Sequence, residues 1–253
     1  MTGDMQRVLA EFLGTAILII LGNGVVANVV LNKTKGQNSG WIVIAFGWGM
    51  AVYVAVFCTA AISGAHINPA VTIALLAANR FNGGWPMAME YIAAQMIGAC
   101  VGAIIVYFFY RDHFNATPDG SAKLACFSTG PAIRNLANAF FCEVVGTFLL
   151  VLPIFLMAQE HLIDVHGNSF TFGLGALGNL PVGLLVLAIG LSLGGTTGYA
   201  INPARDLGPR IAHAILPIRN KGSSDWGYAW IPVIAPILGG LFAAAAALPF
   251  RPH

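Results

Sequence analysis

The stretch GGTTGYAINPARDLGPR, from Gly194 to Arg210, ends a long apolar run with an Asn-Pro pair and a charge. No Asp, Glu, Lys or Arg occurs from Val165 to Ala204, and Arg205 follows directly. Far upstream, the stretch SGAHINPAV, which begins at Ser63, repeats INPA with no arginine after it. If the apolar run lies in a membrane, we expect Arg205 to have a function, because charged residues inside a bilayer are rare and mark functional sites.

The composition predicts a protein that lies mostly in lipid. The 253 residues are 57% hydrophobic and 9% charged, whereas soluble domains carry about 25% charged residues. A membrane-spanning helix needs about 20 apolar residues. Six stretches meet this requirement, namely Val8–Leu31, Trp41–Ile62, Trp85–Tyr110, Leu136–Ala158, Phe170–Leu193 and Trp226–Phe250. We therefore expect an all-α, multi-pass membrane protein whose first span is retained rather than cleaved.

Several classes of function are excluded by what the chain lacks. The net charge of +2 is too small to indicate a nucleic-acid partner. The four cysteines form no CxxC or Cys/His cluster, so neither a metal site nor a disulfide framework is expected. No nucleophile with a neighbouring base is found either. The sequence thus predicts a protein without cofactor or metal that is not an enzyme.

The chain repeats itself in three places. The stretch AEFLGT at Ala10 returns as CEVVGT at Cys142, SGAHINPAV returns as TGYAINPAR, and WPMAMEYIAAQMIGA at Trp85 returns as WGYAWIPVIAPILGG at Trp226. We divide a single domain, 1–253, into halves 1–110 and 135–253 with the linker 111–134. Three spans per half is an odd number, so the halves cross the membrane in opposite directions. Such inverted repeats place the functional site near the midplane, where the halves meet.

Each INPA stretch predicts a half-helix. Asparagine is favoured just before a helix and proline at its first position, and both motifs have this order: Asn68, Pro69 and Ala70; Asn202, Pro203 and Ala204. The apolar stretches that follow are too short to cross about 30 Å of hydrocarbon. We expect the two half-helices to enter from opposite faces and to meet at their asparagines, around a central pore.

The residues before the asparagines cannot be helical up to the proline. Non-helical backbone at membrane depth must be buried in protein or line a wet cavity, and we predict a wet cavity. Its carbonyl acceptors would come from Gly64, Ala65, His66 and Ile67, and from Gly198, Tyr199, Ala200 and Ile201. Two half-helix N-termini that converge on one point would make the potential there positive and repel cations and protons.

Arg205 is predicted to line this pore, where it keeps its water and offers donors to a passing hydroxyl. The alternative is that Arg205 has only a structural role and pairs with a buried carbonyl or with Asp206. Asp206 and Arg210 are four residues apart on the same short helix and can form an ion pair, which we interpret as structural. Glu11 and Glu143 occupy equivalent places in the repeat. We interpret them as acceptors for backbone N–H groups of the non-helical segments; a proton relay is the alternative.

Paired INPA motifs, an arginine after the second and a glutamate in the first span of each half resemble the aquaporin superfamily along the whole chain, with the finer match to the glycerol facilitator branch. The resemblance implies a selectivity filter at Trp48, Gly190, Tyr199 and Arg205, with glycine at 190 leaving room for a carbon backbone. It implies a passive channel for glycerol and similar small neutral solutes, a homotetramer in the lipid bilayer of the cell membrane, and both termini in the cytoplasm.

Other solutes and another class of function stay open. Tyr199 stands where the branch usually carries Phe, and its hydroxyl is expected to make the filter more polar. Gly130 replaces a bulky aromatic and is expected to widen the outer vestibule. Water, dihydroxyacetone, protonated lactic acid and hydrogen peroxide are therefore alternative solutes. An ion-coupled transporter would need ionisable residues at the midplane to bind its coupling ion, and the sequence offers few.

The basic residues favour the opposite orientation from the one that the resemblance implies. With both termini in the cytoplasm, Arg7, Arg80 and Arg251 lie inside. The remaining nine lie outside or on the outer half-helix, namely Lys33, Lys35, Arg111, Lys123, Arg134, Arg205, Arg210, Arg219 and Lys221. The positive-inside rule would place most of them in the cytoplasm.

Overall fold

The computed structural model of the protein describes residues 3–157, 161–163, 169–171 and 174–250. Within these ranges the helices are α1 (Gly3–Val30), α2 (Trp41–Ser63), α3 (Pro69–Ala77), α4 (Gly84–Phe109), α5 (Arg111–Ala116), α6 (Gly120–Ala125), α7 (Leu136–Leu156), α8 (Leu180–Leu193), α9 (Pro203–Ile215) and α10 (Ile231–Ala246). Short 3-10 helices lie at Gly175–Asn179 and Leu248–Phe250. A pair of three-residue strands, β1 (His161–Ile163) and β2 (Ser169–Thr171), runs antiparallel with His161 opposite Thr171.

The membrane-spanning set agrees with the predicted fold. Five helical stretches in the described ranges are long and apolar enough to cross a membrane: α1, α2, α4, α7 and the continuous stretch Gly175–Leu193. The sixth, α10, is apolar but has only 16 residues. The half-helices α3 and α9 complete a multi-pass, all-α membrane fold, to which β1 and β2 add a short ribbon.

Two predicted span boundaries are wrong. Phe170 lies in β2, and the fifth span begins only at Gly175, with its α-helix starting at Leu180. Trp226 lies in a turn before α10. In both cases a proline, Pro181 or Pro232, occupies the first turn of the observed helix. Proline fits that place because the first-turn N–H groups have no partner within the helix.

The helices pack as an inverted repeat. In the first half α1 packs against α2 and α4, and in the second half α7 packs against α8 and α10. Each half-helix packs against the last long helix of the opposite half, α9 against α4 and α3 against α10. The two halves are therefore interleaved, and the tips of α3 and α9 are brought together at the centre.

Glycines permit the closest of these contacts at matching places in the repeat. A Cβ atom at Gly98 would lie 2.3 Å from the carbonyl oxygen of Phe12, and one at Gly239 would lie 2.3 Å from that of Val144. Phe12 and Val144 directly follow the two repeat glutamates. Only glycine allows the backbones of α1 and α4, and of α7 and α10, to approach this closely.

Candidate functional site

A cavity of about 220 Å³ lies between the two halves. One wall carries the non-helical segments that precede α3 and α9, together with Asn68 and Asn202. The lining also includes apolar side chains, namely Val52, Val56, Leu75, Leu150, Ile154, Val182 and Val186. The cavity is therefore amphipathic, with both hydrogen-bonding groups and hydrocarbon surface in its wall.

The two asparagines join the halves at the centre of this cavity. Asn68 Nδ2 donates to the carbonyl of Ile201, and Asn202 Nδ2 donates to the carbonyl of Ile67, both at 2.8 Å. Each side-chain oxygen caps its own half-helix: Asn68 accepts from the N–H of Ala70, and Asn202 from Ala204 and Arg205. An amide has two N–H donors, so each asparagine, which lines the cavity, keeps one for a solute.

The backbone before each asparagine adopts left-handed conformations at matching positions. The φ angles are 85°, 48° and 43° at Gly64, Ala65 and Ile67. Their repeat counterparts Gly198, Tyr199 and Ile201 have φ angles of 84°, 38° and 44°. Positive φ at a β-branched residue is a true outlier that surrounding contacts must enforce, and such strain is concentrated at functional sites.

Glu11 and Glu143 supply those contacts. Glu11 accepts hydrogen bonds from the Ser63 hydroxyl (2.6 Å), the N–H groups of His66 (2.9 Å) and Ile67 (2.7 Å), and the Gln95 amide (2.7 Å). Both glutamates are fully buried. Every one of these partners is a donor, as a charged carboxylate requires, because a carboxylate can only accept.

In the second half, Glu143 repeats this arrangement. It accepts from the Thr197 hydroxyl (2.7 Å) and from the N–H groups of Ala200 (2.9 Å) and Ile201 (2.8 Å). The methyl groups of Ile67 and Ile201 also pack on Gly14 and Gly146, where a Cβ would lie 2.8 and 2.9 Å away. With their N–H groups turned toward a glutamate, the segments direct carbonyls to the other side.

The carbonyl ladder is complete in the first half and shorter in the second. Gly64, Ala65, His66 and Ile67 all line the cavity, as do Tyr199, Ala200 and Ile201. Gly198 was expected among them but is not in contact with the cavity; its Cα faces Thr129, 3.2 Å from where a Cβ would be. No described residue donates to the carbonyls of Gly64, Ala65 or His66, so these acceptors are available to a solute.

His66 adds a ring nitrogen to this wall. Its Nδ1 lies 3.1 Å from the hydroxyl of Thr72, which itself donates to the carbonyl of Asn68 and accepts from Gln95. Since the Thr72 proton is already used, His66 must donate through Nδ1–H. Nε2 of the neutral ring is then an acceptor, in a residue that lines the cavity.

Arg205 lines the cavity beside Trp48. Its guanidinium carbon is 4.2 Å from the centre of the Trp48 ring, and Nη1 is 3.4 Å from the carbonyl oxygen of Phe127. Among the described residues this long contact is the only hydrogen bond of the Arg205 side chain. A guanidinium has five N–H donors, so most of them are left for molecules in the cavity that Arg205 lines.

The carboxylate of Asp206 is bound by Arg210 and Thr129 and does not pair with Arg205. Arg210 forms a buried ion pair with it at 2.8 Å, and Asp206 also accepts from the backbone N–H and the hydroxyl of Thr129, both at 2.7 Å. Arg210 further donates to the carbonyls of Thr129 and Ser224. The pair therefore attaches the loops at Thr129 and Ser224 to α9, and Arg205 is not its partner.

Tyr199 and Gly190 lie together, but not in the way that the resemblance implies. Tyr199 lines the cavity, whereas Gly190 lies behind its ring: a Cβ at Gly190 would be 2.8 Å from both Cζ and Oη of Tyr199. Glycine at 190 thus makes room for the Tyr199 ring. The Tyr199 hydroxyl is buried without a partner among the described residues, and its effect on the polarity of the filter stays a prediction.

Sequence reasoning missed Phe127 and Trp41, which contact filter residues, and Asn23, which contacts Phe127. Asn23, fully buried on α1, donates to the same Phe127 carbonyl that Arg205 contacts, at 3.2 Å. Trp41 donates to the carbonyl of Gly190. A polar Asn23 in an apolar span was a visible signal, but nothing in the sequence marks the Phe127 carbonyl.

The motif geometry agrees with the comparisons to known proteins. The family model described as "Major intrinsic protein" matches residues 2–247, which is nearly the whole chain. The chain belongs to the major intrinsic protein family. A major intrinsic protein fold is also what the half-helices, the joined asparagines and the central cavity form together, and the chain is accordingly a multi-pass integral membrane protein.

Relatives within the major intrinsic protein family carry consistent names. The chain is 54% identical over 241 residues to a "Probable glycerol uptake facilitator protein" of Thermotoga maritima, covering 95% of this chain and 97% of the relative. It is 55% identical over 232 residues to the "Glycerol uptake facilitator protein" of Bacillus subtilis, covering 92% and 80%. The solved aquaglyceroporin of Plasmodium falciparum is 34% identical with a TM-score of 0.80, covering 96% of this chain and 94% of that one.

Proposed function

We propose that the protein is a passive channel that conducts glycerol and similar small neutral solutes across the cell membrane and excludes ions. The observation that carries this proposal is that Trp48, Tyr199 and the partly unpaired guanidinium of Arg205 all line one cavity, with the guanidinium over the Trp48 ring. The names of the relatives from Thermotoga maritima and Bacillus subtilis support glycerol as the solute.

The shape of glycerol fits this arrangement of groups. One edge of the molecule is hydrocarbon and the other carries three hydroxyls. The two aromatic rings pack against the hydrocarbon edge, while Arg205 donates to hydroxyls and the backbone carbonyls accept from them. A hydroxyl that passes between such groups exchanges water for protein hydrogen bonds at little net cost. An ion would lose its hydration shell without an equal replacement.

The contacts of the glutamates argue against a coupled transporter. Such a protein needs an ionisable group near the midplane to bind the coupling ion. Glu11 and Glu143 are fully buried and occupied by backbone and side-chain donors. In the described part of the chain, the titratable side chains that line the cavity are His66, Tyr199 and Arg205, and none of them is a carboxylate.

Both termini are proposed to lie in the cytoplasm, even though the basic residues favour the reverse. Five of the nine basic residues that this orientation places outside have structural partners. They are Arg205, Arg210, Arg134 with Asp225, Lys123 with the carbonyl of Arg219, and Lys221 with the carbonyls of His213, Ala214 and Leu216. These hydrogen bonds and ion pairs account for the positions of the five residues whichever way the protein crosses the membrane.

Lys221 is an example of a basic residue held by structural contacts. Its ammonium group donates to three carbonyls at the C-terminal end of α9, at 2.6–2.8 Å, where the last turn of a helix has unpaired acceptors and a negative dipole end. Burial lowers the pKa of Lys221 from its ordinary value.

A homotetramer in the bilayer is the assembly that we propose, and the mass of the purified protein in detergent tests it.

The proposed function is tested by solute flux into proteoliposomes that contain the purified protein. Stopped-flow light scattering should show glycerol entry that rises linearly with the glycerol gradient and does not change when proton or sodium gradients are imposed. Saturation at low concentration, or dependence on an ion gradient, would indicate a transporter. Parallel runs with water, dihydroxyacetone and lactic acid at several pH values rank the alternative solutes.

A further inference from the structure

Trp41 contacts the cavity-lining residue Tyr199 without lining the cavity itself. It is the first residue of α2, and 38% of its surface is exposed. Trp48 is seven residues further along the same helix. An indole at the first position of a membrane-spanning helix is usually explained as an interfacial anchor. The contacts of Trp41 indicate a more specific role.

Trp41 contacts Tyr199 in two ways. Its indole Nε1 donates to the carbonyl of Gly190 at 2.9 Å, which fixes the plane of the ring against α8. Its ring also meets that of Tyr199 edge to face, with centroids 5.9 Å apart and an interplanar angle of 75°. This geometry is the favoured one for two aromatic rings.

Two glycines at the C-terminal end of α8, Gly190 inside the helix and Gly194 at its C-cap, complete the surroundings of the Tyr199 ring. A Cβ at Gly190 would lie 2.8 Å from Cζ and Oη of Tyr199, and one at Gly194 would lie 2.4 Å from its Cδ1. A Cβ at Gly194 would also lie 2.6 Å from Cζ2 of Trp41. Gly190 and Gly194 are four residues apart, so they form a slot at the end of α8, and Trp41 closes it.

The rest of the Tyr199 side chain offers nothing that would hold the ring in place. Its hydroxyl has no hydrogen-bond partner among the described residues, and the backbone of Tyr199 has the strained φ of 38°. The position of the ring is therefore set by packing. Of the surfaces around it, the glycine slot provides space and Trp41 provides a closely fitting aromatic edge.

We infer that Trp41 is a positioning residue for the selectivity filter, which holds the Tyr199 ring in the Gly190–Gly194 slot and so sets the largest solute that passes. This inference rests on the proposed function, in which Tyr199 faces the solute. Loss of Trp41 frees the ring to tilt in the slot, and the opening beside Trp48 and Arg205 becomes wider and less uniform. Glycerol should still pass, and a four-carbon polyol should pass more easily than before.

The test compares erythritol with glycerol in proteoliposomes containing Trp41→Ala, Trp41→Phe, Tyr199→Leu or the unchanged protein. Trp85→Ala is the matched control, because Trp85 also lies in the first turn of a membrane-spanning helix and is 63% exposed. Trp41→Ala should raise the erythritol-to-glycerol permeability ratio roughly two- to tenfold, the range that corresponds to the loss of one aromatic pair. Trp41→Phe keeps part of the ring edge and should give a smaller rise, while Trp85→Ala should leave the ratio unchanged.

A role in anchoring alone makes a different prediction. It would lower insertion or thermal stability in Trp41→Ala and Trp85→Ala alike, and the solute ratio of the inserted protein would not move. If Tyr199→Leu raises the ratio while both Trp41 variants do not, Trp41 has no positioning role although the filter is correctly placed. If Tyr199→Leu also leaves the ratio unchanged, the proposed filter itself is wrong. Should Trp41→Ala fail to insert, the Trp41→Phe ratio decides.

Discussion

The guanidinium of Arg205 lies over the face of Trp48, 4.2 Å from the ring centre, and is thereby held at the edge of the cavity. A cation over an indole ring is stabilised by the negative face of the ring, more strongly where water is excluded. The contact explains how one buried positive charge is kept in place without a carboxylate partner, since Asp206 is bound to Arg210. The ring and the charge that contact the solute thus also stabilise each other.

Replacement of Arg205 should change which charged species pass. Arg205→Val removes the fixed positive charge at the mouth and leaves space beside Trp48, so we expect a measurable cation conductance in planar bilayers where the unchanged protein has none. Arg205→Lys keeps the charge and should stay impermeable to cations. If neither variant conducts cations, the Arg205 charge is not what excludes them, and that role falls to the half-helix N-termini.

Gly190→Ala should reduce glycerol permeability through Tyr199. The added methyl would lie 2.8 Å from the Tyr199 ring, closer than such contacts allow, so the ring must move toward the cavity. Glycerol flux should fall more than water flux. Gly195→Ala is the matched control, because no atom lies within 4 Å of a Cβ at that position. An unchanged glycerol-to-water ratio in Gly190→Ala would mean that the Tyr199 ring moves away from the cavity instead.

Tyr199→Phe should leave the solute ratio nearly unchanged and raise thermal stability. The hydroxyl that it removes is buried and unpaired in the described structure, and an unsatisfied buried polar group costs about 1–3 kcal/mol. Tyr91→Phe serves for comparison, because the Tyr91 hydroxyl accepts from Arg7 and donates to the carbonyl of Ser63. The melting temperature in detergent should rise for the first variant and fall for the second; a fall in both would point to a partner for Tyr199.

Glu143→Gln should destabilise the second non-helical segment. One oxygen of Glu143 accepts from Thr197 and Ala200, and the other accepts from Ile201. An amide nitrogen at either place would oppose a donor with a donor, so we expect a loss of at least about 2 kcal/mol in the free energy of unfolding and a lower glycerol flux. Glu90→Gln, at an exposed position on α4, should lower neither the melting temperature nor the flux.

Arg210→Met should be strongly destabilising because it leaves the buried carboxylate of Asp206 without its counter-charge. Loss of one partner of a buried ion pair costs about 3–5 kcal/mol. The double variant Asp206→Asn with Arg210→Met removes both charges and should recover much of the lost melting temperature. If the double variant is no more stable than Arg210→Met alone, the contacts of Arg210 with Thr129 and Ser224 carry the stability, and the charge pair does not.

The fold could be predicted because the sequence repeats at the positions where geometry is demanding. Glu11 and Glu143 each require donors, and Gly98 and Gly239 each allow a close backbone approach, so the matched pattern fixed the architecture. The ends of the helices were harder to predict than the order of the helices. An apolar run continues through a turn as readily as through a helix, and the true starts of α8 and α10 were marked only by Pro181 and Pro232.

The site could be predicted in part. The resemblance implied a filter that includes Trp48, Tyr199 and Arg205, and all three line the cavity. It also implied Gly190, which does not line the cavity and lies behind the Tyr199 ring. A match to a family pattern gives the place of a residue in the chain but not the direction in which it faces. The contacts of Asn23 and Trp41 join distant segments, and no local pattern in a single sequence records them.

The reciprocal bonds of Asn68 with Ile201 and of Asn202 with Ile67 also bear on how the chain is made. Asn68 precedes its partner by 133 residues, which at about 5–20 residues per second is on the order of ten seconds of ribosomal synthesis. Until Ile201 has been synthesised, the Asn68 amide lacks the acceptor that it has in the folded protein. Biogenesis therefore includes a stage at which the first half of the chain has been made and the centre of the protein does not yet exist.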